Sequence, residues 1–279
     1  MFLTLMYITN NPRIALIAEK NGVERIWIDL ETLGKEERQK GMNTVKSKHT
    51  IKDIRKIRPL LSRAELLVRI NPWNDRSEEE IENVISAGAD LIMLPMWKSC
   101  LEVEKFVKAV DGRCKTVLLL ETRQAVECID EVLDKCRFDE IHVGLNDLHI
   151  SYKLSFMFEL LTNGIVEELC KKISERRIPY GFGGIAKVGE GELPAEKIMM
   201  EHYRLGSTRA ILSRSFCNVE TIENIGVFEE IFEKNIKELR EYENKITRMS
   251  LNDLLVNKRE VKECVQEIVA KKEACNVRN

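Results

Sequence analysis

Carboxylates and one arginine close several of the short apolar runs in this 279-residue chain. Asp29-Leu30-Glu31 follows one run, Arg69-Ile70-Asn71 the next, Glu121-Thr122-Arg123 a later one, and Gly144-Leu145-Asn146-Asp147 the run after that. If those runs are parallel strands, the residues gather on one rim. Grouped carboxylates offer hard oxygen donors, and Mg2+ commonly takes only one or two of them, leaving places for water and substrate oxygens. Glu121 and Asp147, on consecutive runs, are the pair expected to hold Mg2+, with Mn2+ or another divalent metal as the substitute. Arg69 is expected to meet an anionic substrate, the alternative being an ion pair with Asp29 or Glu31. Glu31 either orients Arg69 or holds a cation-bound water. His149, two residues beyond Asp147, is a candidate proton carrier because imidazole titrates near neutrality. His49 is the weaker candidate and is expected in solvent.

Eight apolar runs must position these residues, at 2–8, 25–29, 65–69, 91–95, 116–120, 140–144, 180–183 and 209–213. Each is separated from the next by a stretch of helical periodicity. Near-continuous apolar strands such as Val117-Leu118-Leu119-Leu120 suit a parallel sheet buried on both faces. The helix signals are specific. Asn11-Pro12 sets a cap before a proline at the first helical position, and Asn21-Gly22 closes that helix. Ser77 with Glu80 three residues on reads as a capping box, and Ser250 with Asp253 reads as a second helix start. Pro194 opens another helix and Leu205-Gly206 ends it. Eight strand–helix units predict an α/β fold, a (β/α)8 TIM barrel over residues 1–222. Apolar residues at helical spacing from Phe228 to Val269 then predict a C-terminal helical extension, 223–279, packed on the barrel or on a neighbouring subunit.

The runs also carry a resemblance. Trp27-Ile28-Asp29-Leu30-Glu31, Val68-Arg69, Pro72-Trp73-Asn74-Asp75, Leu94-Pro95-Met96, Leu120-Glu121-Thr122-Arg123 and Gly144-Leu145-Asn146-Asp147-Leu148 occur in order on consecutive strands. Together they resemble the HpcH/HpaI aldolase/citrate lyase family over about residues 5–215. The resemblance implies a metal-dependent barrel with Glu121 and Asp147 as ligands, and Arg69 facing the keto oxygen and the enolate. It also implies that backbone amides near Gly144, Leu145 and Asn146 hold the substrate carboxylate. A 2-oxo acid such as pyruvate would chelate the ion, which with Arg69 stabilises the charge of enolisation. Carbon–carbon cleavage or formation, possibly with an aldehyde partner, follows from that enolate. Family members also form trimers or hexamers, so a homo-oligomer is expected.

Three positions depart from the pattern. The histidine expected after the strand-two glutamate is Thr32, the acidic partner expected in the helix after Asp75 is Ser86, and the glutamine before the metal glutamate is Leu119. Asp29-Leu30-Glu31 looks closer to the citrate lyase branch, which opens a citrate- or malyl-type acyl-thioester lyase as the alternative function. A barrel that has lost catalysis and serves as a binding subunit is the third.

Forty-four basic against forty-six acidic residues give no basic excess for a nucleic-acid partner. No apolar run reaches the ~20 residues of a membrane span. Eight cysteines, none in a C-x-x-C pair, read as reduced packing thiols of a cytoplasmic protein. The basic stretch Lys35, Arg38, Lys40, Lys46, Lys48, Lys52, Arg55, Lys56 and Arg58 reads as a solvated face, with a phosphorylated or thioester substrate as the alternative. Gly181, Gly183, Gly184, Gly189 and Gly191 suit tight turns, or a close approach to a phosphate or carboxylate.

Overall fold

A computed structural model of the chain describes residues 2–34, 49–218, 222 and 224–276. Eight parallel strands form one closed barrel in chain order: β1 (Thr4–Ile8), β2 (Arg25–Asp29), β3 (Glu65–Arg69), β4 (Leu91–Leu94), β5 (Lys115–Leu120), β6 (Glu140–Val143), β7 (Tyr180–Ile185) and β8 (Arg209–Leu212). This is the (β/α)8 architecture expected from the alternation of runs, and the strand bounds differ from those expected by at most two residues. The described helices between strands are α1 (Pro12–Lys20), α2 (Ile51–Ile57), α3 (Ser77–Ala87), α4 (Cys100–Val110), α5 (Arg123–Glu127), α6 (Ile129–Lys135), α7 (Leu145–Ser151), α8 (Glu159–Thr162), α9 (Ile165–Glu175) and α10 (Ala195–Arg204). Two long helices follow, α11 (Ile225–Ile246) and α12 (Leu251–Asn276).

Two compact units divide the chain, one of residues 6–141 and the other of residues 1–5 with 142–279. In the first, β2 and β3 pair in register over all five residues, Arg25 to Glu65 through Asp29 to Arg69. Leu66, Leu67 and Val68 are wholly buried, as a strand covered on both faces requires. The first residues of four strands carry a charged network that the sequence reading did not anticipate. Arg25 makes a two-pronged bond to Glu140 and also reaches Glu65, which in turn binds Lys115. Charges at the starts of barrel strands serve stability, and chemistry belongs at their other ends.

In the second unit, α12 packs on α10 and α8, and α11 packs on α10. Asn257 donates to the Lys197 carbonyl and to Glu201, and Lys258 and Arg204 share Glu167. Glu243 of α11 is fully buried and accepts from the Leu3 amide at 2.8 Å, while Arg240 donates to the Leu3 carbonyl at 2.8 Å. The helical extension thus ties down the start of β1, whose Thr4 amide bonds Thr208 beside β8.

The expected caps mostly appear. Asn11 accepts from the Arg13 and Ile14 amides with Pro12 behind it, and Ser250 and Asp253 exchange bonds reciprocally. The Ser77–Glu80 box does not form. Ser77 lies inside α3, its hydroxyl accepts from the Asn74 amide, and Glu80 turns to Asn71. Lys35, Arg38, Lys40, Lys46 and Lys48 of the basic stretch lie outside the described residues. Within it, Lys52, Arg55 and Lys56 are exposed along α2, a solvated face. Of the glycines near strand seven, Gly181 answers to packing, while Gly189 sits in a left-handed turn with open space beside it. A Cβ on Gly181 would stand 2.2 Å from the Arg209 carbonyl oxygen, and the β7–β8 register shifts between Gly181 and Gly184. No described helix is long and apolar enough to cross a membrane.

Candidate active site

The ends of β2, β3 and β5 bring four of the expected site residues together within the first unit. Parallel pairing sets Asp29 beside Arg69, the last residues of their strands. Arg69 Nε lies 2.8 Å from Asp29 Oδ1 and Nη2 lies 2.9 Å from Oδ2, a fork matched to a carboxylate. The same Nη2 stands 3.2 Å from Glu31 Oε2. Asp29 and Glu31 are each 2% exposed. The guanidinium also lies over the Trp27 ring, 5.3 Å from its centroid. Burial alone would pull the Arg69 pKa down, but Asp29, Glu31 and Glu121 hold it above its ordinary value. The ion pair named as the alternative for Arg69 is therefore present. Its Nη1 makes no hydrogen bond among the described residues, and the side chain keeps 12% exposure.

Glu121 follows β5 directly and is 3% exposed. The Met96 amide donates to its Oε1 at 3.1 Å. Met96 adopts a left-handed conformation, φ 54°, which costs a non-glycine residue ~1 kcal/mol or more and aims that amide. One residue on, the Thr122 hydroxyl donates to the Trp97 carbonyl at 2.8 Å and accepts from the Ala125 amide at the start of α5. The Leu94-Pro95-Met96 turn thus fixes the carboxylate, and Thr122 caps the helix behind it. Glu121 offers carboxylate oxygens, donors suited to a hard divalent cation and unsuited to a soft one.

The loop after β2 hangs on Asn71. Its Oδ1 accepts from the Thr32 amide at 2.9 Å, the Thr32 hydroxyl at 3.2 Å and the Leu33 amide at 3.0 Å. Its Nδ2 donates to Glu80 at 2.8 Å. Burial pushes the Glu80 carboxyl up, against the lowering effect of its bonds from Asn71. Ser86, where an acidic partner is expected, is exposed and turned to Glu82. Glu80 is the acid of α3 that reaches the loop.

Sequence reasoning undervalued His49. It is half-buried, and its Nδ1 accepts from the Asp29 amide at 3.0 Å. That bond puts the proton of the neutral ring on Nε2. Nothing in the spacing signals this contact, because twenty residues separate the partners.

The remaining expected residues lie in the second unit on α7. Gly144 is its N-cap, Leu145 is buried, and Asn146, Asp147 and His149 are half-buried. The Leu148 amide bonds the Gly144 carbonyl, leaving the amides before it with no acceptor inside the helix. His149 Nδ1 is buried with no hydrogen-bond partner among the described residues. Gly183, at φ 53°, lets Leu145 close in, since a Cβ there would stand 2.7 Å from Leu145 Cδ1. Another histidine, His202, belongs to the core. Burial, with the nearby His142, pushes its pKa down to about 3, and its ring stacks on Phe182.

A family model described as HpcH/HpaI aldolase/citrate lyase matches residues 3–157, slightly more than half of the chain. No curated protein matches the chain in sequence. Among solved structures the chain is similar to the HpcH/HpaI aldolase from Desulfitobacterium hafniense DCB-2, at 15% identity and a TM-score of 0.59, over 86% of this chain and 93% of that one. An HpcH/HpaI aldolase/citrate lyase family protein from Burkholderia cenocepacia J2315 gives 12% identity and a TM-score of 0.59, over 76% and 88%. The citrate synthase SbnG gives 15% and 0.56, over 76% and 86%. At these identities the structural likenesses establish the fold alone.

Proposed function

Because the chain belongs to the HpcH/HpaI aldolase/citrate lyase family, we propose that it is a divalent-metal-dependent carbon–carbon lyase or aldolase working through the enolate of a 2-oxo acid such as pyruvate. The observation that carries this reading is the Arg69 guanidinium, clamped by Asp29 and Glu31 and leaving Nη1 for an incoming oxygen. Glu121 and Asp147 would hold the cation, Mg2+ or Mn2+, which when bound supplies Lewis-acid polarisation of the substrate carbonyl. Support for that pair is the hard donor chemistry and the barrel order, in which β5 and β6 are neighbours and Glu121 and Asp147 follow them.

Arg69 binds the keto oxygen and opposes the negative charge that develops there. Its orientation is paid in advance by Asp29 and Glu31, so none is lost at the moment of reaction. The Leu145 and Asn146 amides, opening α7 after Gly144, take the substrate carboxylate, as first-turn amides do for anions. Thr32 cannot move the proton in place of the expected histidine, since a hydroxyl titrates far from neutrality. We assign that role to His49, whose Nδ1 is fixed by the Asp29 amide and whose Nε2 is the exchanging atom. His149 is the alternative carrier.

Calorimetric titration of pyruvate tests the reading. Binding is expected with Mg2+ or Mn2+ and is expected to vanish with chelator or in Glu121→Gln. Tight metal-free binding, or none under any condition, overturns it.

A further inference from the structure

Three side chains away from the carboxylate site converge in the first unit. Cys100 opens α4 and Glu104 lies one turn on, so both occupy one helix face. Cys136 follows α6, which packs against α4. The two Sγ atoms are 3.6 Å apart, and Cys100 Sγ is 3.8 Å from Glu104 Oε1. All three donor atoms lie within 4.8 Å of one another.

The distances fit a coordination site as well as a packed thiol pair. Two thiolates on a tetrahedral ion at ~2.3 Å stand ~3.8 Å apart, and a thiolate with a carboxylate oxygen at ~2.1 Å stand ~3.6 Å apart. The observed 3.6 and 3.8 Å match both separations to about 0.2 Å. Both cysteines are 6% exposed while Glu104 is exposed, so the sulfurs are held in place and the carboxylate is free to close. We propose that Cys100, Glu104 and Cys136 form a site for a zinc-class cation, with the fourth position open to water. Sulfur donors select against the hard cation proposed for Glu121 and Asp147, so the two sites discriminate by chemistry. The ion clips α4 to the segment after α6. It also anchors the stretch immediately before Cys100, where Met96 holds Glu121 and the Trp97 and Lys98 carbonyls meet Thr122 and Cys128. The proposal stands independently of the proposed reaction.

Binding must displace both thiol protons. Two protons therefore leave for each ion bound.

The test adds Co2+ to reduced, chelator-stripped full-length protein. One equivalent is expected to give thiolate-to-cobalt charge-transfer absorption in the near ultraviolet, abolished by one equivalent of Zn2+. The band is expected to persist in Cys170→Ser and in Glu121→Gln, which separates this site from the carboxylate one. It is expected to weaken in Cys136→Ser and vanish in the Cys100→Ser/Cys136→Ser protein, with circular dichroism reporting the fold. Glu104→Gln, on an exposed face, is expected to fold and to lose at least about ten-fold in Co2+ affinity. Absence of the band in wild type, its survival in the double variant, or an unchanged affinity in Glu104→Gln overturns the proposal.

Discussion

Replacing Arg69 by methionine removes one buried guanidinium from two buried carboxylates. In the native chain that group makes contacts of 2.8 and 2.9 Å to Asp29 and 3.2 Å to Glu31, both 2% exposed. Methionine fills similar volume beside Trp27 but supplies no charge. Removing one partner of a buried pair costs about 3–5 kcal/mol, and here two carboxylates lose the same cation. Loss of the cation–π contact with Trp27 adds ~0.5–1 kcal/mol. A loss of about 3.5–6 kcal/mol is expected near neutral pH, a large share of the 5–15 kcal/mol that stabilises a typical domain. Urea unfolding of both proteins near neutral pH measures it. Arg69→Lys keeps the charge and loses the fork, with a cost of about 1–2 kcal/mol. A loss below about 1 kcal/mol for Arg69→Met refutes the clamp.

Gly181→Ala forces a Cβ to within 2.2 Å of the Arg209 carbonyl and is expected to destabilise by about 2–3 kcal/mol in thermal or urea melts. Glu80 has its folded pKa raised from 4.5 by burial, so the stability it contributes is present below pH 4.5 and is lost as pH rises through the folded value. Glu80→Gln is therefore expected to gain on wild type from about pH 4.5 towards neutrality in paired unfolding curves, and a gap that closes instead contradicts the assignment. His49→Ala is expected to slow pyruvate enolisation by about 100-fold or more and His149→Ala by less than about ten-fold, measured as isotope exchange. The reverse order transfers the proton to His149.

The strand ends were legible because chemistry and periodicity coincide there. Asp29, Arg69 and Glu121 each terminate or follow an apolar run, and parallel pairing of β2 with β3 then requires Asp29 beside Arg69. Helix starts were legible where a local rule suffices, as at Asn11-Pro12 and Ser250-Asp253. Ser77–Glu80 satisfied the same rule and failed it, because Asn71 offers Glu80 a better-placed donor from another element. The long-range contacts were not legible. His49 meets the Asp29 backbone across twenty residues, Glu243 meets Leu3 across 240, and Cys100 meets Cys136 across 36. Such contacts arise from the packing of whole elements, which short-range patterns do not encode. Arg25 and Glu140 were likewise invisible as partners, since the first residues of β2 and β6 reveal no pairing until the barrel closes.

Exchange of the pyruvate methyl protons with D2O, followed by NMR at fixed pH, tests the central claim most directly. Enolisation predicts deuterium uptake that requires added Mg2+ or Mn2+, stops with chelator, and is lost in Glu121→Gln and Arg69→Lys. Uptake that proceeds equally without a divalent ion, or a protein that promotes none with the ion present, contradicts the account.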